Sequence, residues 1–497
     1  MILFKRRAKY FVLFVGLIAF TFSGMNWHVW FAAWIAPVLL LYFARNSKWT
    51  EYLILFLGIG IGSALSKSAE NLSGIFLIYI TTGVSYGLLH TLPFVLDKLL
   101  VKKGIRFYST LVFPSAVVFT EFALSLGIGI WGNSAIAQFP NTNFIQITSL
   151  FGIFGISFMV AWLASVLNWV VINGQDTRRI WSGLIIYGFV FSAVLLFGFL
   201  RTSISQAERK TVKVAALVGE TDIHQVFEKW EEEIIGLSNN YDAEIPGDVF
   251  SDSMALNSLV SRTEEAVSNG ARIVVWNEIS LFLRSSQLDS LVSQVKEICM
   301  RERAFVLLAV LVKEAGDLPR PLNNQSILIK PSGEIAWTYL KSFLNPLEAM
   351  VINKGKGPIP YIDTEYGRIA NAICADLDLS GYISQIGKKS IDLLLVPAFD
   401  WEEITPYHSH MAAFAAIQYG VPIIRANGKG IVAFYGYRGE VLKQNNTLNS
   451  DSKILYMEMP LDSTTTVYSS IGNLFVYVLM LFLLIATGLR IGKRTDL

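Results

Sequence analysis

Charged residues are scarce in this sequence, at 16% of its 497 positions, whereas a soluble protein of this size has about a quarter. There are only two cysteines, Cys299 and Cys374, which excludes a disulfide-rich scaffold. The net charge of +2 favours neither nucleic acid nor an acidic partner. Internal repeats and low-complexity segments are absent as well. What the sequence has instead is apolar residues, 53% of the chain, concentrated towards its two ends.

Long apolar runs account for the missing charge. Seven precede residue 205 and an eighth follows residue 470, and most approach the ~20 residues that cross a bilayer. Many runs follow the first, so we expect no cleavable signal peptide. The pattern predicts a seven-helix transmembrane domain at 1–204, and a C-terminal transmembrane helix with a cytoplasmic tail at 469–497. The runs lie at 10–23, 27–44, 52–66, 74–96, 108–129, 145–172, 181–200 and 471–489.

Basic residues alternate between the connections in a way that predicts orientation. Fifteen Lys and Arg residues flank the runs on one side, whereas the short loops on the other side hold only Lys67. Positive charge marks the cytoplasmic side of a membrane protein. Both termini are therefore predicted in the cytoplasm, with the segment after the seventh run on the other side of the membrane. The fifteen are Lys5, Arg6, Arg7, Lys9, Arg45, Lys48, Lys98, Lys102, Lys103, Arg106, Arg178, Arg179, Arg490, Lys493 and Arg494.

Glu121 is a carboxylate inside the fifth apolar run, in Val118-Phe-Thr-Glu121-Phe-Ala. A carboxylate at this depth costs free energy, so we expect it to face protein or water. Two interpretations remain open at this point. One is a residue on a substrate path, and the other is a hydrogen bond between packed helices.

Residues 205–468 have an ordinary globular composition and are predicted to form one exported domain. Apolar strand-like runs alternate there with helical patterns, and two turn motifs indicate hairpins, which together predict an α/β layered fold. Strands are predicted at Ile273–Trp276, Phe305–Val312, Ser326–Lys330, Ile369–Cys374, Leu393–Pro397 and Ile423–Arg425, helices at Leu256–Ser268, Gln287–Arg303, Tyr382–Lys388 and His408–Tyr419, and turns at Pro331–Glu334 and Tyr437–Glu440. Cys299 falls within a helical pattern and is expected in the core.

Glu278, Lys341 and Cys374 each lie at the end of a predicted strand. A cysteine is mostly protonated at neutral pH, so a nucleophilic thiol needs activation. Glu278 is a candidate base, and Lys341 is a candidate cation for the thiolate and the later oxyanion. The Ala375 N–H is a second candidate oxyanion donor if Cys374 occupies a sharp turn, which Asp376 and Asp378 would help to hold. Spacing alone leaves structural roles open for all of them.

The segments around these residues resemble the nitrilase, or carbon–nitrogen hydrolase, superfamily. The matching segments are Val274–Glu278, Tyr339–Glu348 and Ile373–Asp376, within residues 213–460. The whole chain more narrowly resembles the apolipoprotein N-acyltransferase family, which has seven spans, an exported nitrilase domain and a final span. Further similar stretches are Phe144–Phe158, Asp400-Trp401, His408–Met411 and Arg425–Gly430. The resemblance implies an αββα sandwich that carries a Glu–Lys–Cys triad.

The resemblance implies a role for each triad residue. Glu278 is implied as the base, Lys341 as the oxyanion lysine and Cys374 as the nucleophile. Glu348 matches an additional glutamate in the family's lysine loop, with a spacing one residue shorter.

Two positions depart from the family pattern. The family usually has Tyr-Glu after its cysteine, where this sequence has Ala375-Asp376. The acid is retained in a shorter form and the aromatic ring is lost, which affects the geometry expected for the acyl acceptor. The usual histidine two residues after the lysine is replaced by Phe343.

His408 and His410 raise two alternatives, a metal site and a Cys–His pair. No third ligand has a suitable spacing, so we expect neither a metal nor another cofactor. Lys341 explains the chemistry without a histidine. A structural role is therefore predicted for both histidines.

The resemblance implies an N-acyltransferase that moves a fatty acyl chain from a phospholipid, through a Cys374 thioester, to the N-terminal amine of a diacylglyceryl-cysteine lipoprotein. The expected partners are these two lipids and the bilayer, with no nucleic acid, and the chain is expected to be a monomer. Gly236–Pro246 and Leu283–Ser290 are predicted as loops that act as lids. Two alternatives are a membrane-tethered amidase or acyltransferase with another amine acceptor, and a non-catalytic membrane scaffold.

Overall fold

Two compact units make up the chain in the computed structural model, which describes residues 2–67, 76–101, 106–174, 176–203, 210–219, 250–315, 320–345 and 348–495. The first unit consists of Met1–Ser205 with Thr466–Leu497, and the second of Gln206–Thr465. The first is helical, whereas the second alternates strands and helices. This confirms the predicted fold class of a membrane helix bundle joined to an α/β domain.

The first unit has helices suited to a bilayer. Within the described residues, four are long and apolar enough to cross one, and three shorter apolar helices accompany them. Large apolar side chains such as Phe189 and Leu484 are 75% and 69% exposed, as expected for contact with lipid rather than water. The helices are α1 Ile2–Ser23, α2 Trp30–Arg45, α3 Tyr52–Ser66, α4 Phe76–Leu100, α5 Val112–Ile128, α6 Thr142–Ile145, α7 Thr148–Phe151, α8 Phe154–Ile172 and α9 Thr177–Ser203, followed near the C-terminus by Val467–Ile471 and Leu474–Thr495.

The sixth apolar run, predicted as one segment over 145–172, is broken before α8. Gly152 ends α7 with a φ of +66°, a conformation that residues with a side chain rarely adopt. A Cβ at this position would lie 2.5 Å from a ring carbon of Tyr468. The sequence therefore needs glycine here, and the helix that crosses this unit begins only at Phe154.

The second unit contains two sheets. The first has seven strands in the order β13-β1-β2-β4-β5-β6, with β3 paired to β4. Its central pairs β1–β2 and β2–β4 are parallel, whereas β4–β5–β6 form an antiparallel meander with its second turn at Pro331–Glu334, as predicted. The strands are β1 Thr211–Leu217, β2 Ile273–Trp276, β3 Phe282–Arg284, β4 Phe305–Lys313, β5 Leu322–Ile329, β6 Ile335–Leu340 and β13 Ile454–Pro460.

The second sheet has six strands in the order β12-β11-β10-β9-β8-β7. The pairs β8–β9 and β9–β10 are parallel, and the predicted turn Tyr437–Glu440 joins the antiparallel pair β11–β12. The strands are β7 Tyr361–Thr364, β8 Gly367–Asn371, β9 Leu393–Ala398, β10 Ile423–Asn427, β11 Ile431–Tyr435 and β12 Val441–Asn446.

The two sheets pack face to face through fully buried aliphatic side chains, among them Val275 of the first and Leu395 of the second. Helices cover the outer face of the first sheet, where Cys299 is fully buried in the core as expected. The result is the αββα sandwich that the resemblance implied. The helices of this unit are α10 Ser253–Ser268, α11 Ser285–Glu302, α12 Glu348–Val351, α13 Ser380–Ile383, α14 Gln385–Lys388 and α15 Tyr407–Tyr419.

One predicted lid is wrong and the other is not described. Leu283–Ser290 is no loop, because it comprises the end of β3 and the first turns of α11. Gly236–Pro246 lies outside the described residues. The helix predicted over Tyr382–Lys388 is two short helices, α13 and α14, that meet at Ser384.

Candidate active site

Glu278, Lys341 and Cys374 all lie just past the ends of strands. Glu278 comes two residues after β2, and its N–H donates to the carbonyl of Ala398 in β9 at 3.3 Å. Lys341 follows β6 directly, and its N–H donates to the carbonyl of Asn324 in β5 at 2.9 Å. Cys374 follows β8 of the other sheet. Because the inner faces of the sheets pack together, the three side chains come from different sheets to one place.

Cys374 lies on a turn and not on the predicted strand Ile369–Cys374. Strand β8 ends at Asn371, and Cys374 opens a 3-10 helix over Cys374–Leu377. Its φ of +47° is rare for any residue but glycine and places the sulfur on a strained turn. Ala375 is in the first turn of this helix, so its N–H has no acceptor within the helix.

The Lys341 ammonium holds two carboxylates. It donates to Oε1 of Glu278 at 2.9 Å and to Oε1 of Glu348 at 2.6 Å, and the three residues are at most 8% exposed. Oε1 of Glu278 also accepts a hydrogen bond from Nδ2 of Asn324 at 2.7 Å, and Oε2 of Glu348 accepts one from the Asn345 N–H at 2.9 Å. Buried charges need such partners. Asn324 was missed by the sequence analysis, which began the strand two residues later.

Burial and the charges of this cluster together set the protonation states of Lys341 and Cys374. Burial alone would lower the pKa of Lys341, but the carboxylates of Glu278 and Glu348 outweigh it and hold the pKa well above its ordinary value. Burial raises the pKa of the Cys374 thiol well above its ordinary value, and Glu278 adds to the rise while Lys341 opposes it. At neutral pH the resting site therefore holds a thiol beside an ammonium. Such a thiol reacts only if a base takes its proton during the attack.

Asp376 connects the cysteine turn to the chain that follows β6. Its Oδ1 accepts from the N–H groups of Ser342 at 2.9 Å and Phe343 at 2.6 Å. Its Oδ2 accepts from the Tyr339 hydroxyl at 2.6 Å and from the Ile373 N–H at 3.1 Å. Burial raises the pKa of this carboxyl to about 6, against these hydrogen bonds. Both oxygens are thus engaged in holding the turn.

A second buried group of charges lies beside Cys374, made of Asp378, Asp400, His408 and Arg425. Nδ1 of His408 is 2.6 Å from Asp400, and Nε2 is 3.1 Å from Asp378. Arg425 donates to both oxygens of Asp400, at 2.9 and 2.8 Å. The histidine pattern indicated a structural role for His408, and the structure adds that this role involves three further charged residues, which come from three other segments of the chain.

One expectation about metal ligands is wrong. Cys374, Asp400 and His408 each offer a ligand atom, and these atoms lie within 4.8 Å of one another, so a third ligand does exist near His408. However, the guanidinium of Arg425 already binds Asp400 through two hydrogen bonds. A positive charge in this place opposes a metal ion, and the donor set fits a network of paired charges better than a metal centre.

Glu121 lies in α5 and is buried in the first unit. Its carboxylate accepts hydrogen bonds from Asn133 at 3.1 Å and Ser134 at 3.3 Å. Together with Lys67 and His90 it also lines a cavity of about 110 Å³. The contacts with Asn133 and Ser134 fit the interpretation of Glu121 as a hydrogen bond between helical segments. Its place in the wall of a cavity fits the interpretation as a residue on a substrate path.

Comparison with known proteins covers almost the whole chain. Residues 213–468 match the model of the carbon-nitrogen hydrolase family, and residues 16–166 match that of the apolipoprotein N-acyltransferase N-terminal domain. These two regions correspond to the second unit and to most of the first.

Curated relatives match along their full length. An apolipoprotein N-acyltransferase of Haemophilus influenzae is 24% identical over 98% of this chain and 96% of its own. One of Pasteurella multocida is 24% identical over 97% of this chain and 96% of its own. Among solved structures, an amidase from Nesterenkonia sp. covers 52% of this chain and 94% of its own, with 16% identity and a TM-score of 0.39, a likeness too weak to bear on activity.

Proposed function

The chain belongs to the carbon-nitrogen hydrolase family, in its apolipoprotein N-acyltransferase branch, and from this premise we propose the reaction and the residues that carry it. A fatty acyl chain moves from a membrane phospholipid to the sulfur of Cys374, and from there to the N-terminal amine of a diacylglyceryl-cysteine lipoprotein. The observation that carries the proposal is the buried Lys341–Glu278 pair at 2.9 Å beside a cysteine on a strained turn.

In the first half-reaction Glu278 takes the proton of the Cys374 thiol while the sulfur attacks the ester carbonyl carbon. The carbonyl oxygen becomes an oxyanion, which the Lys341 ammonium and the Ala375 N–H stabilise. The carbon–oxygen ester bond then breaks, and Glu278 returns the proton to the departing oxygen. The products are a thioester on Cys374 and a lysophospholipid with a free hydroxyl.

In the second half-reaction the neutral amine of the lipoprotein attacks the thioester carbonyl. The same two donors stabilise the new oxyanion, and Glu278 takes a proton from the attacking nitrogen. The carbon–sulfur bond breaks, and the sulfur leaves as a thiol with that proton. An amide forms and Cys374 is regenerated, so one base serves both halves of a ping-pong cycle.

Glu348 has a supporting role in this scheme. Its carboxylate is 2.6 Å from Nζ of Lys341 and helps to hold the pKa of that ammonium well above its ordinary value, against the effect of burial. Lys341 therefore stays charged throughout the cycle. Its position is also fixed from two sides, so it is preorganised for the oxyanion.

The partners and location follow from the same proposal. The protein associates with a membrane, and residues 1–204 and 469–497 form its transmembrane domain around an exported catalytic domain at 205–468. The location is the inner membrane of a bacterium, with both termini in the cytoplasm and the chain acting as a monomer. Donor and acceptor are both lipids held in that membrane, which is why the catalytic domain is tethered to membrane helices.

Intact-mass analysis of the purified full chain incubated with phosphatidylethanolamine tests the proposal. Wild type and Cys299→Ala should each gain the mass of one fatty acyl chain, and Cys374→Ala should gain none. A diacylated lipopeptide added afterwards should remove the acyl mass and become triacylated. Absence of an adduct on wild type with lipid bound, together with ammonia release from simple amides, would replace this proposal by an amidase.

A further inference from the structure

Four charged side chains form a cluster beside Cys374, and the reaction scheme above does not use them. Asp378 closes the helical turn that Cys374 opens, Asp400 follows β9, His408 is in the first turn of α15 and Arg425 is in β10. All four are at most 3% exposed. Buried charges on four separate elements need a reason, because unpaired they would destabilise the fold.

The surroundings of His408 favour its doubly protonated, positively charged form. Each nitrogen is within hydrogen-bond distance of a carboxylate, Nδ1 of Asp400 at 2.6 Å and Nε2 of Asp378 at 3.1 Å. A neutral imidazole donates from only one nitrogen, so it would leave a lone pair facing an oxygen on the other side. Nη2 of Arg425 also lies 3.1 Å from Nδ1, but the carboxylate oxygen of Asp400 is closer. Burial alone would lower the pKa of His408, but the two aspartates outweigh it and raise the pKa to about 9.

Arg425 supplies the second positive charge. Its guanidinium donates to both oxygens of Asp400, and Asn427 donates to one of them at 2.7 Å. Burial alone would raise the pKa of Asp400, but Arg425 and His408 outweigh it and hold the pKa well below its ordinary value. The cluster therefore has two negative and two positive charges, which cancel only while His408 is protonated.

This balance matters because Cys374 is close to it. The Cys374 sulfur, a carboxylate oxygen of Asp400 and a ring nitrogen of His408 all lie within 4.8 Å of one another. A negative charge on the sulfur is opposed by a carboxylate at this distance and favoured by a cation. Loss of the His408 charge would leave the cluster with a net charge of −1 next to the nucleophile.

We propose that His408 is a positioning residue for Cys374, whose imidazolium neutralises Asp378 and Asp400 and so allows the sulfur to become negatively charged. It acts through these two aspartates and does not itself exchange protons with substrate, because both of its nitrogens are occupied. The inference deepens the proposed function and rests on it in taking Cys374 as the nucleophile.

The other titratable groups near the cluster keep their charge over the range in which His408 titrates. Tyr435 of β11 shares hydrogen bonds with Ser409 and has a pKa raised to about 12, mainly by burial. Arg425 remains charged at all accessible pH values. Glu278 and Lys341 form the ion pair of the catalytic cluster. His408 is therefore the group in this neighbourhood whose charge changes near pH 9.

Alkylation of Cys374 by iodoacetamide in the full-length protein measures the reactivity of the sulfur without any acyl donor. Rates are followed from pH 6 to 10 by site-resolved mass spectrometry, with Cys299 as the internal reference, since this core thiol reacts only if the domain opens. His408→Asn should slow Cys374 alkylation at pH 7 by about tenfold and change its pH dependence, because the difference from wild type should disappear above about pH 9, where wild-type His408 loses its charge. His410→Asn, two residues further along the same helix, is the matched control and should leave both unchanged.

Removing charge of the opposite sign distinguishes electrostatics from packing. Asp378→Asn should speed alkylation at pH 7, and the double variant His408→Asn/Asp378→Asn, whose cluster is again neutral, should return to within about threefold of the wild-type rate. A double variant slower than either single one would overturn the proposal, because it would mean that the cluster only packs. So would an unchanged alkylation rate of His408→Asn at pH 7.

If His408→Asn exposes Cys299 to the reagent, Asp378→Asn alone decides, and alkylation that is unchanged or slower than wild type overturns the proposal. Failure of the proposed function looks different. In that case lipid leaves no acyl mass on Cys374 of wild type, whereas the alkylation rates of the variants still differ as described.

Discussion

At the scale of single residues, the Lys341 ammonium binds two carboxylates that have different tasks. Glu278 comes second only to burial among the causes that raise the pKa of Cys374, whereas Glu348 is not among the leading causes. This coupling supports the proposal that Glu278, and not Glu348, is the base for the thiol. Glu348 acts on Lys341 and is held in turn by the Asn345 N–H.

We expect Glu278→Gln to slow acylation of Cys374 by about a hundredfold or more, because the thiol loses its base. Glu348→Gln should slow it by only about tenfold, since Lys341 keeps its bond to Glu278. The rates are measured by intact mass at successive times after addition of phospholipid. Glu334→Gln, an exposed carboxylate in the turn after β5, is the control and should match wild type. A larger loss of rate in Glu348→Gln than in Glu278→Gln would mean that Glu348, and not Glu278, is the base.

The charge of His408 also predicts how stability depends on pH. Its pKa is raised in the folded protein to about 9, and in the unfolded chain it is about 6.5. The folded state therefore gains stability that is complete below about pH 6.5 and is lost as pH rises through 9. A shift of this size corresponds to a free energy on the order of 3 kcal/mol.

The measurement is the difference in Tm between wild type and His408→Asn at several pH values. Wild type should be the more stable protein at pH 6, and its advantage should shrink steadily towards pH 9 and above. Other groups titrate in both proteins and cancel in the difference. A constant difference over this range would mean that His408 is neutral in the folded state.

At the scale of elements, the turn that carries Cys374 depends on Asp376. This one carboxylate accepts four hydrogen bonds from donors before and after β8. Asp376→Asn replaces one acceptor oxygen by an NH₂ group that faces N–H or O–H donors. We expect unfolding free energy to fall by about 1–3 kcal/mol, and acylation of Cys374 to slow because the turn loosens.

Thermal unfolding and intact-mass kinetics measure the two effects. Asp363→Asn is the matched control, because that carboxylate is 73% exposed and its ion pair with Arg368 lies at the surface. It should change neither the Tm nor the rate. An Asp376→Asn protein as stable and as fast as wild type would show that the hydrogen bonds do not hold the turn.

The sequence predicted the central strands well, because their side chains are apolar on both faces. Ile273–Trp276 is found with the same bounds and is wholly buried. Strand β5 begins four residues earlier than predicted because its first half contains Asn323, Asn324 and Gln325, a polar pattern that does not indicate a strand. Asn324 is polar because it binds Glu278, so the site itself obscured the strand.

The site was predicted in part for a similar reason. Family resemblance brought Glu278, Lys341 and Cys374 together, but Ala-Ile-Cys374 is apolar and gives no signal for a φ of +47°. The strand was therefore predicted to continue as far as Cys374. The cluster around His408 joins positions 378 to 425, and only the order of strands β8, β9 and β10 brings them together.

At the scale of the whole molecule, the chain enters and leaves the catalytic unit at two neighbouring strands. Thr211 at the start of β1 pairs with Pro460 at the end of β13. The flanking apolar helices Thr177–Ser203 and Leu474–Leu489 thus connect to adjacent points of one unit. A unit inserted in this way leaves the alternation of the other helices across the membrane unchanged. The basic residues in the connections between those helices therefore predict on which side of the membrane the catalytic unit lies.

The basic residues in the helix connections predict that the catalytic unit lies outside the cytoplasm. Labelling of single introduced cysteines measures on which side of the membrane the unit lies. Thr177→Cys and Asp451→Cys both place a thiol at an exposed position, the first at the start of α9 beside Arg178 and Arg179, the second in the catalytic unit. In spheroplasts a membrane-impermeant maleimide should label Asp451→Cys at once and Thr177→Cys only after lysis. The native cysteines are both buried and should contribute little background. The reverse pattern would place the catalytic unit in the cytoplasm, where an acceptor exposed on the outer face could not reach Cys374, and the proposed lipoprotein substrate would fail with it.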